Sequence, residues 1–223
     1  MKKKSIFLIA ILCVSVVVIS CIREVMTPEQ SLAINNSDED ESYGPNLMVN
    51  SGFEIWNFSQ SQYWIPDGWL AHNNSNVKRD HEIVYEGHYS ARMKSIESGS
   101  TARVDQVIPV TPGNKIKIRF KYYVTQWTYN GARTYCYFRT GSTEATRLSL
   151  DEMHELYNGD EYYIIRGGGR GINYLPHTLN KWLVFEETIT IPPMVNYFEF
   201  GINSYFENTI YVDDCYVGEL IEQ

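Results

Sequence analysis

From Lys115 to Thr125 apolar and polar residues alternate without a break. Ile116, Ile118, Phe120 and Tyr122 point one way; Lys117, Arg119, Lys121 and Tyr123 point the other. A period of two belongs to an extended strand with one buried and one wet face. Thr134 to Thr140 repeats the logic, with Cys136 and Phe138 inward and Tyr135 and Tyr137 outward. Further short runs predict strands at Leu47 and Val49 and over 83–85, 91–94, 101–110, 162–165, 182–191, 197–202 and 210–217. Turn residues separate them, among them Asn50-Ser51-Gly52, Pro66-Asp67-Gly68 and Thr111-Pro112-Gly113-Asn114. Phe53, Trp69 and Trp182 are the expected aromatic core. Many short strands between turns predict an all-β fold, an antiparallel β-sandwich of the jelly-roll type. One stretch departs from it. Ser149-Leu150-Asp151-Glu152 is a capping box, and Leu150, Met153, Leu156 and Tyr157 follow helical spacing, which predicts one short inserted helix ended by Asn158-Gly159.

The start of the chain is patterned differently. Lys2, Lys3 and Lys4 precede an apolar run from Ile6 to Ile19. That run is short of the ~20 residues a membrane-spanning helix needs and reads as a secretory signal. It ends in Val18-Ile19-Ser20-Cys21, which resembles a bacterial lipobox. Residues 1–20 are then a lipoprotein signal peptide, and Cys21 is the lipidated first residue of the mature chain. A plain signal peptide or an uncleaved anchor are the alternatives. Residues 21–45 read as an acidic tether, rich in Asn, Ser, Asp and Glu and without apolar periodicity. Residues 46–221 suffice for one domain with a sizeable core. The expected place is a bacterial outer membrane, on its periplasmic or exposed side, held by lipid at Cys21. The net charge of −8 becomes about −11 once three leader lysines are removed, which excludes nucleic acid as a natural partner. Cys136 and Cys215 sit at apolar positions of strands. Two buried thiols are the simpler reading, with one disulfide as the alternative.

Two stretches carry a family resemblance. Asn46-Leu47-Met48-Val49-Asn50-Ser51-Gly52-Phe53-Glu54 with the later Pro66-Asp67-Gly68-Trp69, and the closing Ile210-Tyr211-Val212-Asp213-Asp214, resemble the carbohydrate-binding modules of families four, nine and twenty-two. The resemblance implies a jelly roll, a structural calcium ion and a monomer that binds a polysaccharide or oligosaccharide. It places the calcium on Gly52, Glu54, Glu86, Tyr89 through its carbonyl, and Asp213. Calcium takes six to eight oxygens, and carboxylates beside open turns supply them. The first and last strands of such a fold lie side by side, so Glu54 and Asp213 are expected to meet. For the sugar, the resemblance places Arg103 and Glu199 on strands that line the cleft.

Sugars offer C–H patches to aromatic faces and hydroxyls to charged or amide groups. Outward parity gives Arg103, Asp105, Tyr135, Tyr137, Tyr197 and Glu199, of which Tyr135 and Tyr137 join Arg103 and Glu199 as the expected contacts. Trp127 stands in for an aromatic platform missing near Thr101, and Trp56, Tyr63 and Trp64 form a second, rim candidate. On this reading Tyr137 and Glu199 can be truncated at little cost in stability. Nothing marks a catalyst. His72, His81, His88, His154 and His177 lack metal-ligand spacing, no GxSxG elbow occurs, and Gly167-Gly168-Gly169-Arg170-Gly171 lacks the Lys-Ser/Thr of a phosphate loop. The expectation is a non-catalytic glycan-binding lipoprotein. The alternatives are an adhesive jelly roll with a protein partner, or a small glycan-active hydrolase or lyase.

Overall fold

The computed structural model describes residues 42–59, 63–72, 76–96, 100–128, 131–149, 151–152, 155 and 174–221. The leader with Cys21, most of the tether, most of the inserted helix, the strand expected at 162–165 and the glycine run 167–171 lie outside them. The strands are β1 Trp56–Phe58, β2 Trp64–Pro66, β3 Leu70–His72, β4 Val77–Asp80, β5 Ser90–Lys94, β6 Thr101–Pro109, β7 Lys115–Gln126, β8 Ala132–Thr134, β9 Tyr137–Arg139, β10 Trp182–Thr190, β11 Tyr197–Tyr205 and β12 Thr209–Glu219. They form an all-β antiparallel sandwich. The first sheet runs β10-β7-β12-β5-β4, and the second runs β3-β6-β11-β8, with β9 also on β11. A β1–β2 ribbon stands apart.

Between the sheets lies the core that the alternation predicts. Ile116, Ile118, Phe120 and Tyr122 of β7 are buried, as are Val104, Ile108, Phe198, Phe200 and Ile202 of the second sheet. Phe120 meets Phe200 edge-on at 5.7 Å, joining the layers. Phe53 stacks on Trp69 at 4.7 Å, and Trp69 meets Phe200 at 6.3 Å. Each such ring contributes about 1.5–3 kcal/mol by leaving water. Trp182 differs from expectation. It pairs with outward-facing Tyr123 across the β10–β7 ladder and is only half-buried, on the outer side of the first sheet.

Three local readings change for identifiable reasons. Leu47 and Val49 do not form a regular strand. Asn46 takes over the pairing: its Oδ1 accepts from Met48 N and Val217 N, and its Nδ2 donates to Cys215 O at 2.8 Å. Met48 is buried and Val49 is 58% exposed. Residues 83–85 are not a strand either, because carboxylates capture their amides: Ile83 N donates to Asp80 Oδ1 and Tyr85 N to Asp213 Oδ2. In β12 the register shifts between Asp213 and Tyr216, with Asp214 at φ 46°. Before that bulge Ile210 and Val212 face the core; after it Cys215 and Val217 do. Both Cys136 and Cys215 are free and buried. The capping box is formed: Glu152 N donates to Ser149 Oγ at 3.2 Å, and Ser149 N to Glu152 Oε2 at 2.7 Å.

Candidate functional site

The outer face of the second sheet gathers most of the polar candidates. Register explains how. His72 stands opposite Arg103, Arg103 opposite Asn203, and Asn203 opposite Arg133, which makes one row across four strands. The next row runs Leu70, Asp105, Gly201. The third runs Val107, Glu199, Tyr137, and the fourth Pro109, Tyr197, Arg139. Between β8 and β9 the pairing with β11 continues through Tyr135, whose N–H donates to Gly201 O at 2.6 Å. A Cβ on Gly201 would lie 2.3 Å from the Tyr135 carbonyl and 3.2 Å from Asp105 Cβ, so only glycine fits at the centre of this face.

Glu199 organises the face. It is fully buried, and its two oxygens accept five guanidinium N–H bonds. Arg103 Nη2 reaches Oε1 at 2.7 Å. Arg139 binds Oε2 through Nε at 2.9 Å and Nη2 at 2.6 Å. Arg147 binds both oxygens, Nε to Oε2 at 3.0 Å and Nη2 to Oε1 at 2.7 Å. Such forked, charge-assisted bonds fix the planes as well as the positions of the guanidiniums. Two tyrosines stack on them, Tyr135 on Arg103 at 4.1 Å and Tyr137 on Arg147 at 4.2 Å. The Tyr137 hydroxyl donates to that of Tyr135 at 2.7 Å. At one flank His72 Nε2 lies 2.9 Å from Asp105 Oδ1. Burial pushes the Asp105 carboxyl above its ordinary value; Arg103 opposes this and Glu199 adds to it. At the other flank Tyr205 OH accepts from Arg133 at 2.6 Å and from Asn203 Nδ2 at 2.6 Å.

Four of the five expected sugar contacts are therefore brought together: Arg103, Tyr135, Tyr137 and Glu199. Their roles differ from those expected. Glu199 spends its acceptor capacity on arginines, so it orients donors rather than meeting a hydroxyl. Tyr137 is buried rather than open. Trp127 is not part of the cluster. Its ring stacks on His177 at 3.8 Å and packs against the core and Gly131. Arg139 and Arg147 are additions. Arg139 lies one step beyond the tyrosine pair on the same parity. Arg147 follows a 3-10 turn, Glu144–Thr146, and no periodicity points to it. At the rim, Trp56 is buried, with Nε1 on Phe53 O, whereas Trp64 is 47% and Tyr63 43% exposed.

The proposed calcium ligands meet in part. Glu54 Oε1 accepts from His88 N at 2.9 Å and Tyr89 N at 3.1 Å. Asp213 Oδ2 accepts from Tyr85 N and Glu86 N, and its Oδ1 from Asp214 N. Gly52 lies against both acids; a Cβ there would be 3.7 Å from Asp213 Oδ1 and 4.0 Å from Glu54 Cγ. The Glu86 side chain is exposed, and Glu86 and Tyr89 turn N–H groups toward the acids. Among the described residues no three acidic, His or Cys side chains gather as a metal group. Burial pushes the Asp213 carboxyl up to about 6, backbone N–H bonds oppose the shift, and neighbouring Glu54 adds to it. Two of the three expected acids thus stand together, held by five backbone N–H groups, and the Glu86 carboxylate does not join them.

No family model matches this chain, and no curated protein matches it. Solved structures do. A structure described as a family 16 carbohydrate-binding module superposes with a TM-score of 0.51 at 16% identity, covering 79% of this chain and 100% of that one. The fold is the jelly roll of carbohydrate-binding modules. The enzymatically active domain of tailspike protein 4 of bacteriophage CBA120 superposes with a TM-score of 0.53 at 13% identity, over 78% of this chain and 21% of that one. At these identities the likeness is one of fold.

Proposed function

We propose that this chain is a non-catalytic glycan-binding domain, tethered by lipid at Cys21 to a bacterial outer membrane, and that the outer face of its second sheet holds the sugar. One observation carries the reading: two stacked tyrosines and three guanidiniums are locked in place on a single sheet face by Glu199. A sugar needs flat apolar surface next to fixed hydrogen-bond donors; half-buried Tyr135 offers the first, and the guanidiniums supply the second, positioned before ligand arrives. The same clamp argues against catalysis. A glycosidase needs two carboxyls free to exchange protons or attack carbon, and Glu199 has no such freedom while five N–H groups hold it. A calcium ion on Glu54 and Asp213 belongs to this reading as a structural pin for the chain ends.

The test is a glycan array probed with the full chain, followed by Tyr135→Ala and His72→Ala. Tyr135 is half-buried, and the His72 side chain is 49% exposed. Binding should fall by about tenfold, the equivalent of one good contact. Wild-type affinity in both variants, or an array with no bound glycan, overturns the proposal. An adhesive role is the second reading. It is favoured by exposed Phe58, Tyr63 and Trp64 on and beside the β1–β2 ribbon.

A further inference from the structure

We infer that this face selects glycans carrying an anionic group, a uronate carboxylate or a sulfate ester. The inference rests on the glycan-binding reading and names its substrate class. It starts from charge. The chain as a whole is acidic, at −8. Yet this face assembles Arg103, Arg133, Arg139 and Arg147 around two buried carboxylates, Glu199 and Asp105, with His72 beside them. Glu144 pairs with Arg147 at 3.3 Å from the rim, where its side chain is 80% exposed. Guanidiniums remain charged at any working pH, so the inner part of the face holds more cations than anions. Buried charges are stable only when paired, and a ligand anion is the partner that completes the set.

The hydrogen-bond inventory points the same way. Asn203 is buried, and its Oδ1 has no hydrogen-bond partner among the described residues. Arg103 Nε is buried 2.8 Å from Asp105 Oδ1, at ion-pair distance but without hydrogen-bond alignment. Both residues lie in the row that ends at Arg133. Asp105 Oδ1 shares the misalignment, so that donor and acceptor answer each other as an ion pair, and Asn203 Oδ1 is left as the acceptor of the row that suits a sugar hydroxyl. Arg147 and Arg103 keep 20% and 12% of their side chains exposed. Glu199 holds one edge of each and a tyrosine ring one face, while Arg147 Nη1 meets only the exposed Glu144, a surface pair that a ligand anion can replace at little cost. A neutral sugar gains little from such a surplus, because hydroxyls are served as well by amides. A planar carboxylate or a sulfate gains forked, charge-assisted bonds.

The experiment measures binding of the full chain to four soluble polymers: polygalacturonate, its carboxyl-reduced form, a sulfated galactan and neutral xylan. Each is titrated at about 20 mM and about 500 mM salt, which brackets weak and strong screening. At low salt the uronate or the sulfated polymer should bind about tenfold or more tighter than the neutral ones. The advantage should shrink at high salt. Preference for one anionic polymer over the other identifies the acidic group. Arg147→Gln should bring the ratio of anionic to neutral affinity close to one, whatever it does to overall affinity, while Arg147→Lys should retain part of the preference. Should Arg147→Gln not fold, the carboxyl-reduction and salt comparisons on the wild-type chain still decide. Equal or tighter binding of the neutral polymers, or an anionic preference indifferent to salt, overturns the inference and leaves glycan binding standing. Binding to none of the four at either salt, with an empty glycan array, overturns both.

Discussion

Glu199→Gln isolates the arginine clamp, because it keeps the shape of the side chain while removing its charge and one of its two acceptor oxygens. Arg103, Arg139 and Arg147 then remain with side chains 12%, 4% and 20% exposed and no carboxylate between them. Removing one partner of a buried ion pair costs about 3–5 kcal/mol, since the other charge stays out of water uncompensated. For a domain of this size each kcal/mol moves the melting temperature by ~2–4 °C, so a fall of roughly 6–20 °C is expected. Thermal unfolding followed by far-UV circular dichroism measures it. A double-mutant cycle with Arg147→Gln adds the decisive arm. If carboxylate and guanidiniums act as one unit, the double variant loses less than the sum of the singles, by about 0.5–3 kcal/mol. A drop under about 2 °C for Glu199→Gln, or strict additivity in the cycle, would refute the clamp as a stabilising unit. The parity-based expectation that Glu199 can be truncated without effect on stability would then be restored.

Three other outcomes are expected. Asp213 holds its proton up to about 6 when folded, above its ordinary 3.8; the folded state binds more protons across that window, so without calcium its contribution to stability falls as pH rises from about 4 to 6. In chelator the wild type should therefore lose melting temperature relative to Asp213→Asn as pH rises from about 4 to 6, and Asp213→Asn should also remove any stabilisation by added calcium; parallel pH profiles with an unchanged calcium response would sink this account. Burial pushes the Cys136 thiol up to about 12 and the Cys215 thiol well above its ordinary value, so an alkylating reagent should label neither in the native chain at pH 8 and both on unfolding. Cys21→Ser should release the protein from membranes or block processing, and unchanged retention with unchanged processing would remove the lipid anchor.

Much of the sandwich is legible from periodicity alone, and the reason is visible in β7. Every second residue of that strand enters the core and its neighbours do not, so two environments are written directly as two residue classes. The reading loosens where side chains replace the ladder. Asn46 makes three hydrogen bonds that a strand partner would otherwise make, and Asp80 and Asp213 draw the 82–86 amides away from any strand. No alternation of apolar and polar residues records such capture. Trp182 misleads for a related reason. Its size argues for the core, but Tyr85 and Tyr123 give it aromatic cover on the outer face, and a large ring needs cover rather than a particular side of a sheet.

The site is half legible, and the half that was not changes the role of the rest. Parity turns Arg103, Tyr135, Tyr137 and Glu199 outward on their own strands, the family resemblance sets the strands of Arg103 and Glu199 at the cleft, and the register of the sheet brings all four to one face. Parity cannot tell an exposed outward residue from one covered by its neighbours on the same face. Glu199 and Tyr137 point away from the core and are nevertheless buried, since Arg139 and Arg147 close over the carboxylate and Arg147 lies on the ring. Arg139 stands on the expected parity but reads as a solvated charge until its partner is known. Arg147 comes from outside the strands and is found only through space. Once both are in place, Glu199 changes from a ligand contact into the post that holds three donors, and the ligand's side of the bargain changes with it. A face whose carboxylates are already committed to its own arginines has little left with which to accept from hydroxyls, and its outermost arginine is met on the solvent side only by the exposed Glu144. Its chemistry is therefore that of a donor surface, and the group it complements best is an acceptor that carries charge.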